Sequence, residues 1–80
     1  MAKKEYVITY LNYDELKEKR IEKIVREFNG KIVAGGFDFN TRVRDLDLDL
    51  DEENLSGLII ALREFGVDIK ELPEDNYQGH

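Results

Sequence analysis

The stretch RVRDLDLDLDEE, Arg42–Glu53, decides the fold. In it Leu46, Leu48 and Leu50 alternate strictly with Asp45, Asp47 and Asp49. Successive side chains of a strand point to opposite faces, so a period of two marks a strand with one dry face and one wet face. A helix would spread the same residues around its circumference. The expectation is a strand over residues 42–50, with its leucines turned to a core and its aspartates turned away. Asp51, Glu52 and Glu53 then open a helix over residues 52–65, where carboxylates complement the positive end of the helix dipole. Its apolar stripe is Leu55, Leu58, Ile59, Leu62 and Phe65, and Gly66 ends it.

Working outward, residues 5–12 (EYVITYLN) are β-branched and aromatic and read as a first strand. Asn12 and Glu15 have the spacing of a reciprocal helix cap. A helix over residues 13–29 follows, with Leu16, Ile21, Ile24, Val25 and Phe28 as its stripe and five acids and five bases around it. Asn29-Gly30 reads as a stop, with the glycine in the left-handed conformation. Residues 31–39 read as a second strand in which Gly35-Gly36 predicts a bulge or bend. Asn40-Thr41 turns a hairpin into the acidic strand. Residues 67–72 make a short fourth strand closed by Pro73, and 73–80 a polar tail.

The order is βαββαβ. Its simplest closed solution is an α+β domain with a four-stranded antiparallel sheet and two helices on one face. That arrangement resembles the ferredoxin-like superfold over about residues 5–72, and a superfold carries no particular function. Ligand-binding ACT domains share the order, but they usually carry glycine in the first strand–helix loop, where this chain has Leu11-Asn12-Tyr13-Asp14. The expected core sets Leu46, Leu48 and Leu50 against Leu16, Ile24, Phe28, Leu58, Ile59 and Leu62.

The 80 residues fit one domain. An apolar fraction of 41% with 38% charge is too apolar for a disordered tail and too charged for a membrane protein. The longest apolar run, Leu58–Leu62, is far short of the roughly 20 residues that a membrane span needs. No hydrophobic signal core follows Met1-Ala2-Lys3-Lys4, and there are no cysteines, so the expected location is cytoplasmic.

The formal charge is −6, and all of it sits in one segment. Asp45, Asp47, Asp49, Asp51, Glu52 and Glu53 lie within nine residues that hold no base, while the other 71 residues carry 12 acids and 12 bases. A net acidic chain disfavours direct binding to nucleic acid and favours a basic partner. A solvated outer face would account for the acids without any function. Their spacing supports another account: alternate strand residues lie about 6.6–6.8 Å apart, close to successive phosphates on an extended nucleic-acid strand. Such a ladder could occupy a basic groove built for DNA or RNA.

Other chemistry finds little purchase. Asp47-x-Asp49-x-Asp51 looks like the start of a calcium loop, but the glycine and bidentate glutamate it requires are replaced by Glu52 and Leu58. No metal or cofactor is expected. The single histidine is His80 and the single serine is Ser56 in the second helix, so no triad is available. Neither a Walker loop nor a dinucleotide fingerprint is present. The chain is expected not to be an enzyme.

The expected docking surface joins Asp45, Asp47, Asp49, Asp51, Glu52 and Glu53 to Tyr6 and Tyr10, placed beside them on the open face of the first strand. The tyrosines serve as anchor and the acids as steering. Arg42, Arg44 and Lys31 are the bases near the ladder and neutralise it in part across the hairpin. Phe37 and Phe39 are read as core or edge cover. In size and charge the chain is similar to the acidic inhibitors that phages direct against host nucleases and CRISPR effectors. That resemblance implies a nucleic-acid-mimicking inhibitor of a nucleic-acid-binding protein. The alternative is a homo-oligomeric regulatory domain that pairs through its open sheet face and takes a small effector.

Overall fold

The computed structural model describes residues 3–72, so the polar tail expected over 73–80, with Pro73 and His80, lies outside the described residues. The elements run β1 (Lys3–Leu11), α1 (Glu15–Glu27), β2 (Lys31–Asp38), β3 (Val43–Asp51), α2 (Leu55–Leu62) and β4 (Asp68–Glu71). Short 3-10 turns, Glu52–Asn54 and Arg63–Phe65, flank α2, so the second helix is α-helical only in its middle. The four strands form one antiparallel sheet in the order β2-β3-β1-β4. This is the βαββαβ ferredoxin-like topology, and its Cα envelope measures 31 × 30 × 16 Å.

Parity organises the core. β1 and β3 pair with even residues opposite even: Tyr6 faces Leu48 and Ile8 faces Leu46. These side chains, with Tyr10 and Leu50, are buried in one cluster with Ile21 and Val25 of α1 and Leu58 and Leu62 of α2. Both helices therefore cover the same face of the sheet, and Leu46, Leu48 and Leu50 point at them as the alternation requires. Ile24 and Phe28 pack at the margin of the cluster. Leu16 and Ile59 do not join it: they are 63% and 40% exposed. α1 turns Ile21 and Val25, four apart, squarely onto the sheet, and this rotation carries Leu16 outward.

Local chemistry sets the ends of the elements. Asp14, not Asn12, caps α1, its side chain accepting from the Lys17 amide at 3.1 Å, while Asn12 takes φ 63° in the preceding loop. At the other end Asn29, not Gly30, takes the left-handed conformation (φ 64°). Gly30 answers a different need, because a Cβ there would stand 2.8 Å from Val25 Cγ1 and 3.1 Å from Leu50 Cδ1. Asp38 closes the β2–β3 hairpin by accepting from the amides of Asn40 (2.8 Å) and Thr41 (3.3 Å).

The bulge in β2 falls at Val33, between Ile32 and Ala34, rather than at Gly35-Gly36. The two glycines stay in register with Leu46 and Asp45 and give clearance on both faces. A Cβ on Gly35 would meet Arg44 Nη2 at 3.1 Å, and one on Gly36 would meet Asp45 Oδ1 at 2.8 Å.

Leu48 is fully buried at the centre of the sheet. Leu48→Ala is expected to cost about 2–5 kcal/mol in denaturant unfolding, and Leu16→Ala less than about 0.5 kcal/mol. Equal costs would mean that the helix-facing surface is misplaced.

Candidate functional site

The open face of the sheet collects the odd-numbered residues of β1 and β3. Asp45, Asp47, Asp49 and Asp51 follow one another along β3, paired in β1 with Thr9, Val7, Glu5 and Lys3. On the other side Asp45, Asp47 and Asp49 stand opposite Gly36, Ala34 and Lys31 of β2. β4 adds Asp68 beside Thr9 and Lys70 beside Val7. The ladder thus occupies a central strand, flanked by small or uncharged residues where Asp45 and Asp47 stand. Its neighbouring lysines, Lys3, Lys31 and Lys70, lie toward the margins. Each of the four aspartates is half-buried by its neighbours, and none is in an ion pair among the described residues.

Asp47, in the middle of the row, carries the electrostatic cost. Its pKa is raised above the usual aspartate value, first by burial and then by the negative charges of Asp45 and Glu5. Such a group gains by meeting a cation, because the cation removes the repulsion already present.

Tyr6 and Tyr10 are not on this face. They are 1% and 4% exposed and pack under the helices. Both faces of β1 carry apolar residues, which hides the choice, but from residue 5 onward the odd set includes Glu5 and Thr9 while the even set, Tyr6, Ile8 and Tyr10, holds no charge. Matching Glu5 and Thr9 to the aspartates would have placed the tyrosines inside. The apolar part of the open face is instead Val7, with Leu11 and Val43 paired at its end.

Glu52 also leaves the ladder. Lys4 Nζ lies 3.4 Å from Glu52 Oε2 and 3.3 Å from Glu71 Oε2, and Lys4 and Glu71 pair with Leu50 and Tyr6, whose side chains belong to the helix side. Glu53 is exposed in the 3-10 turn before α2. The structure therefore unites Asp45, Asp47, Asp49 and Asp51, and sets Glu52 apart from them.

Arg44 does not neutralise the ladder either. It crosses Gly35 on the helix side and grips Glu18 of α1 with both forks, Nε to Oε1 at 2.8 Å and Nη2 to Oε2 at 2.7 Å. The Tyr10 hydroxyl donates to the same Oε1 at 2.9 Å, and the Asp14 amide donates to the Tyr10 oxygen at 3.3 Å. The Arg44 guanidinium beside Glu18 holds its carboxyl below the usual range against the opposing effect of burial, and the Tyr10 hydrogen bond helps. Burial pushes the Tyr10 phenol up to about 12. Arg44 also lies over the Tyr13 ring, 5.1 Å from its centroid. Sequence reasoning missed this pair because the partners are 26 residues apart and belong to different elements.

Around it Tyr13, Phe37 and Phe39 line an open cleft of about 380 Å³ with Arg44. Phe37 and Phe39 meet edge to face at 5.1 Å, yet Phe39 is 85% exposed, so it is not core.

Among the described residues no three acidic or histidine side chains converge to hold a metal ion, since strand pitch spreads the aspartates apart. No helix among them is long and apolar enough to cross a membrane. No protein-family model and no curated protein matches the sequence.

The two carboxylates have opposite pH signatures. Glu18, with its lowered pKa, contributes stability that is present above the unfolded carboxylate range and lost as pH falls through its folded pKa. Glu18→Gln is expected to cost about 1–3 kcal/mol at neutral pH, and less in acid. Asp47, with its raised pKa, imposes a penalty at neutral pH that is relieved as pH falls through its folded pKa. Asp47→Asn is expected to stabilise at neutral pH and to converge on the parent in acid. Urea titrations across pH read both trends, and parallel curves for the two variants would refute the assignment.

Proposed function

We propose that this chain is a small, non-enzymatic, acidic interaction module whose open sheet face docks on a basic protein surface. In its sharpest form it acts as a nucleic-acid mimic, occupying a groove that otherwise holds DNA or RNA and so inhibiting the protein that owns it. The observation that carries the reading is the row Asp45, Asp47, Asp49 and Asp51 on one face of a central strand, with no ion pair among the described residues. Its pitch of about 6.6–6.8 Å suits a succession of phosphate-binding bases. The raised pKa of Asp47 supports the same reading, since a cationic partner relieves a repulsion that the free module bears.

Val7 and Thr9 supply the uncharged ground between the acids, the part assigned in the sequence to Tyr6 and Tyr10. Pairing of two copies through the open face is disfavoured on the same observation. It would set one row of aspartates against another with little water between them to screen the repulsion.

The test is displacement of a fluorescent single-stranded oligonucleotide from nucleic-acid-binding proteins of the source cell. The double variant Asp47→Asn, Asp49→Asn keeps the shape and removes two charges. Its competition is expected to weaken roughly 2- to 30-fold at low salt, at about 0.2–1 kcal/mol for each surface pair lost, and to converge on the parent as salt rises. Unchanged competition with unchanged salt dependence would leave the ladder as a solvated face and nothing more.

A further inference from the structure

We infer that the outer edge of β2 is a pairing edge for a second copy of this chain, joined antiparallel about a two-fold axis at Gly35. β2 is eight residues long and stands at the end of the sheet, and no strand pairs with its outer side among the described residues. Edge strands are commonly blunted by charges, proline or bulges. β2 has no proline, its charges, Lys31 and Asp38, sit at its two ends, and its one bulge, at Val33, keeps its register self-matched.

The strand is self-complementary when turned against itself. With Gly35 opposite Gly35, Ala34 meets Gly36, Ile32 meets Phe37 and Lys31 meets Asp38 of the second copy, and each match is made twice, as a two-fold interface requires. The faces agree as well. Ile32 and Phe37 both lie on the helix side, paired in β3 with Leu48 and Arg44. Lys31, Ala34, Gly36 and Asp38 lie on the open side, paired with Asp49, Asp47, Asp45 and Val43. Without the bulge, matching Lys31 to Asp38 would set Ala34 against Gly35, whose faces differ. The extra residue, Val33, removes that conflict, falling between the Ile32–Phe37 and Ala34–Gly36 matches.

The ends of the edge fit one another too. Phe39, one step beyond Asp38, is 85% exposed with its ring held against Phe37. Gly30, one step before Lys31, lines a cleft of about 350 Å³ with Glu22, Arg26, Lys31 and Ile32. The paired register carries Phe39 of the second copy to that cleft, and the reverse. An exposed aromatic ring and a cleft beside a glycine, at opposite ends of one edge, are covered together.

The junction stands independently of what the aspartates bind. It does place both open faces on the same side of an eight-stranded sheet, so that two acidic rows are presented together.

The experiment is sedimentation velocity of the full chain from low micromolar concentration upward, with the thermal melt of each variant checked. The parent is expected to pass from monomer to dimer. Phe39→Asp and Lys31→Glu, both at exposed positions, are each expected to raise the dimer dissociation constant at least about tenfold with folding unchanged. Ile60→Asp, at an exposed apolar position on α2, is expected to leave it unchanged. A parent that stays monomeric throughout overturns the inference. So does a dimer that survives both edge variants, or one that Ile60→Asp disrupts equally. Because no basic partner enters the experiment, its failure leaves the docking reading standing, and failure of oligonucleotide displacement leaves the edge standing.

Discussion

The register between β1 and β3 holds everything else in place. Tyr6 against Leu48 and Ile8 against Leu46 are the central cross-strand pairs of the sheet, and both helices pack on them. Side chains alternate with a period of two, so fixing this register fixes both faces. A slip by one residue would carry Asp45, Asp47 and Asp49 under the helices. Each buried, unpaired carboxylate costs several kcal/mol. Three of them would equal or exceed the whole stability of a small domain, about 5–15 kcal/mol. The acids thus act on the fold by exclusion, since the alternative register is closed to them.

A second tie works at the hairpin end of the sheet. Arg44 faces the helix side from a position where the leucine pattern has run out, and a bare guanidinium there would find no core to join. Glu18, one turn into α1, meets it with both oxygens, and Tyr10 completes the set. Side chains of both partners are no more than one-fifth exposed, so the pair is shielded enough to matter more than a surface bridge. Gly35 is what allows Arg44 to reach across. The two glycines therefore have separate causes: one clears a path for a cation on the helix side, the other clears room for the Asp45 carboxylate on the open side.

The parts of the fold written in local periodicity were legible. The strict alternation in residues 45–50 gave the strand, its face and, with the helical stripes on either side, the order of elements. What was not legible depends on contacts between elements. Both faces of β1 could serve as core by composition, so the placement of Tyr6 and Tyr10 waited on the pairing with β3. Leu16 is an exception: it joins the apolar stripe of α1 by composition, but it stands five residues before Ile21, off the three- and four-residue spacing of Ile21, Ile24, Val25 and Phe28, so the helical period itself turns it outward. Gly30, Gly35 and Gly36 look like breaks in a pattern, yet each is small because of a neighbour from another part of the chain. Of the candidate site, the row Asp45 to Asp51 was legible because it lies on one strand. The diversion of Glu52 to Lys4 was not, because it needs β1 and the turn before α2 in the same place.

Exclusion from the core explains why the outward positions of β3 are polar, but not why they are aspartate. A mixture of charges would close the wrong register equally well, and aspartate is among the poorest strand formers. Solubility does not require it either. The segment 13–29 that contains α1 solves that problem with five acids and five bases, a balanced set that attracts within itself. β3 instead repeats one sign on alternate positions, adds Glu5 beside Asp49, and raises the pKa of Asp47 at the centre. A row of like charges disfavours the free state at neutral pH, and an opposite charge brought against it relieves that disadvantage. On the docking reading proposed above, a basic partner accounts for the choice of residue rather than for its polarity.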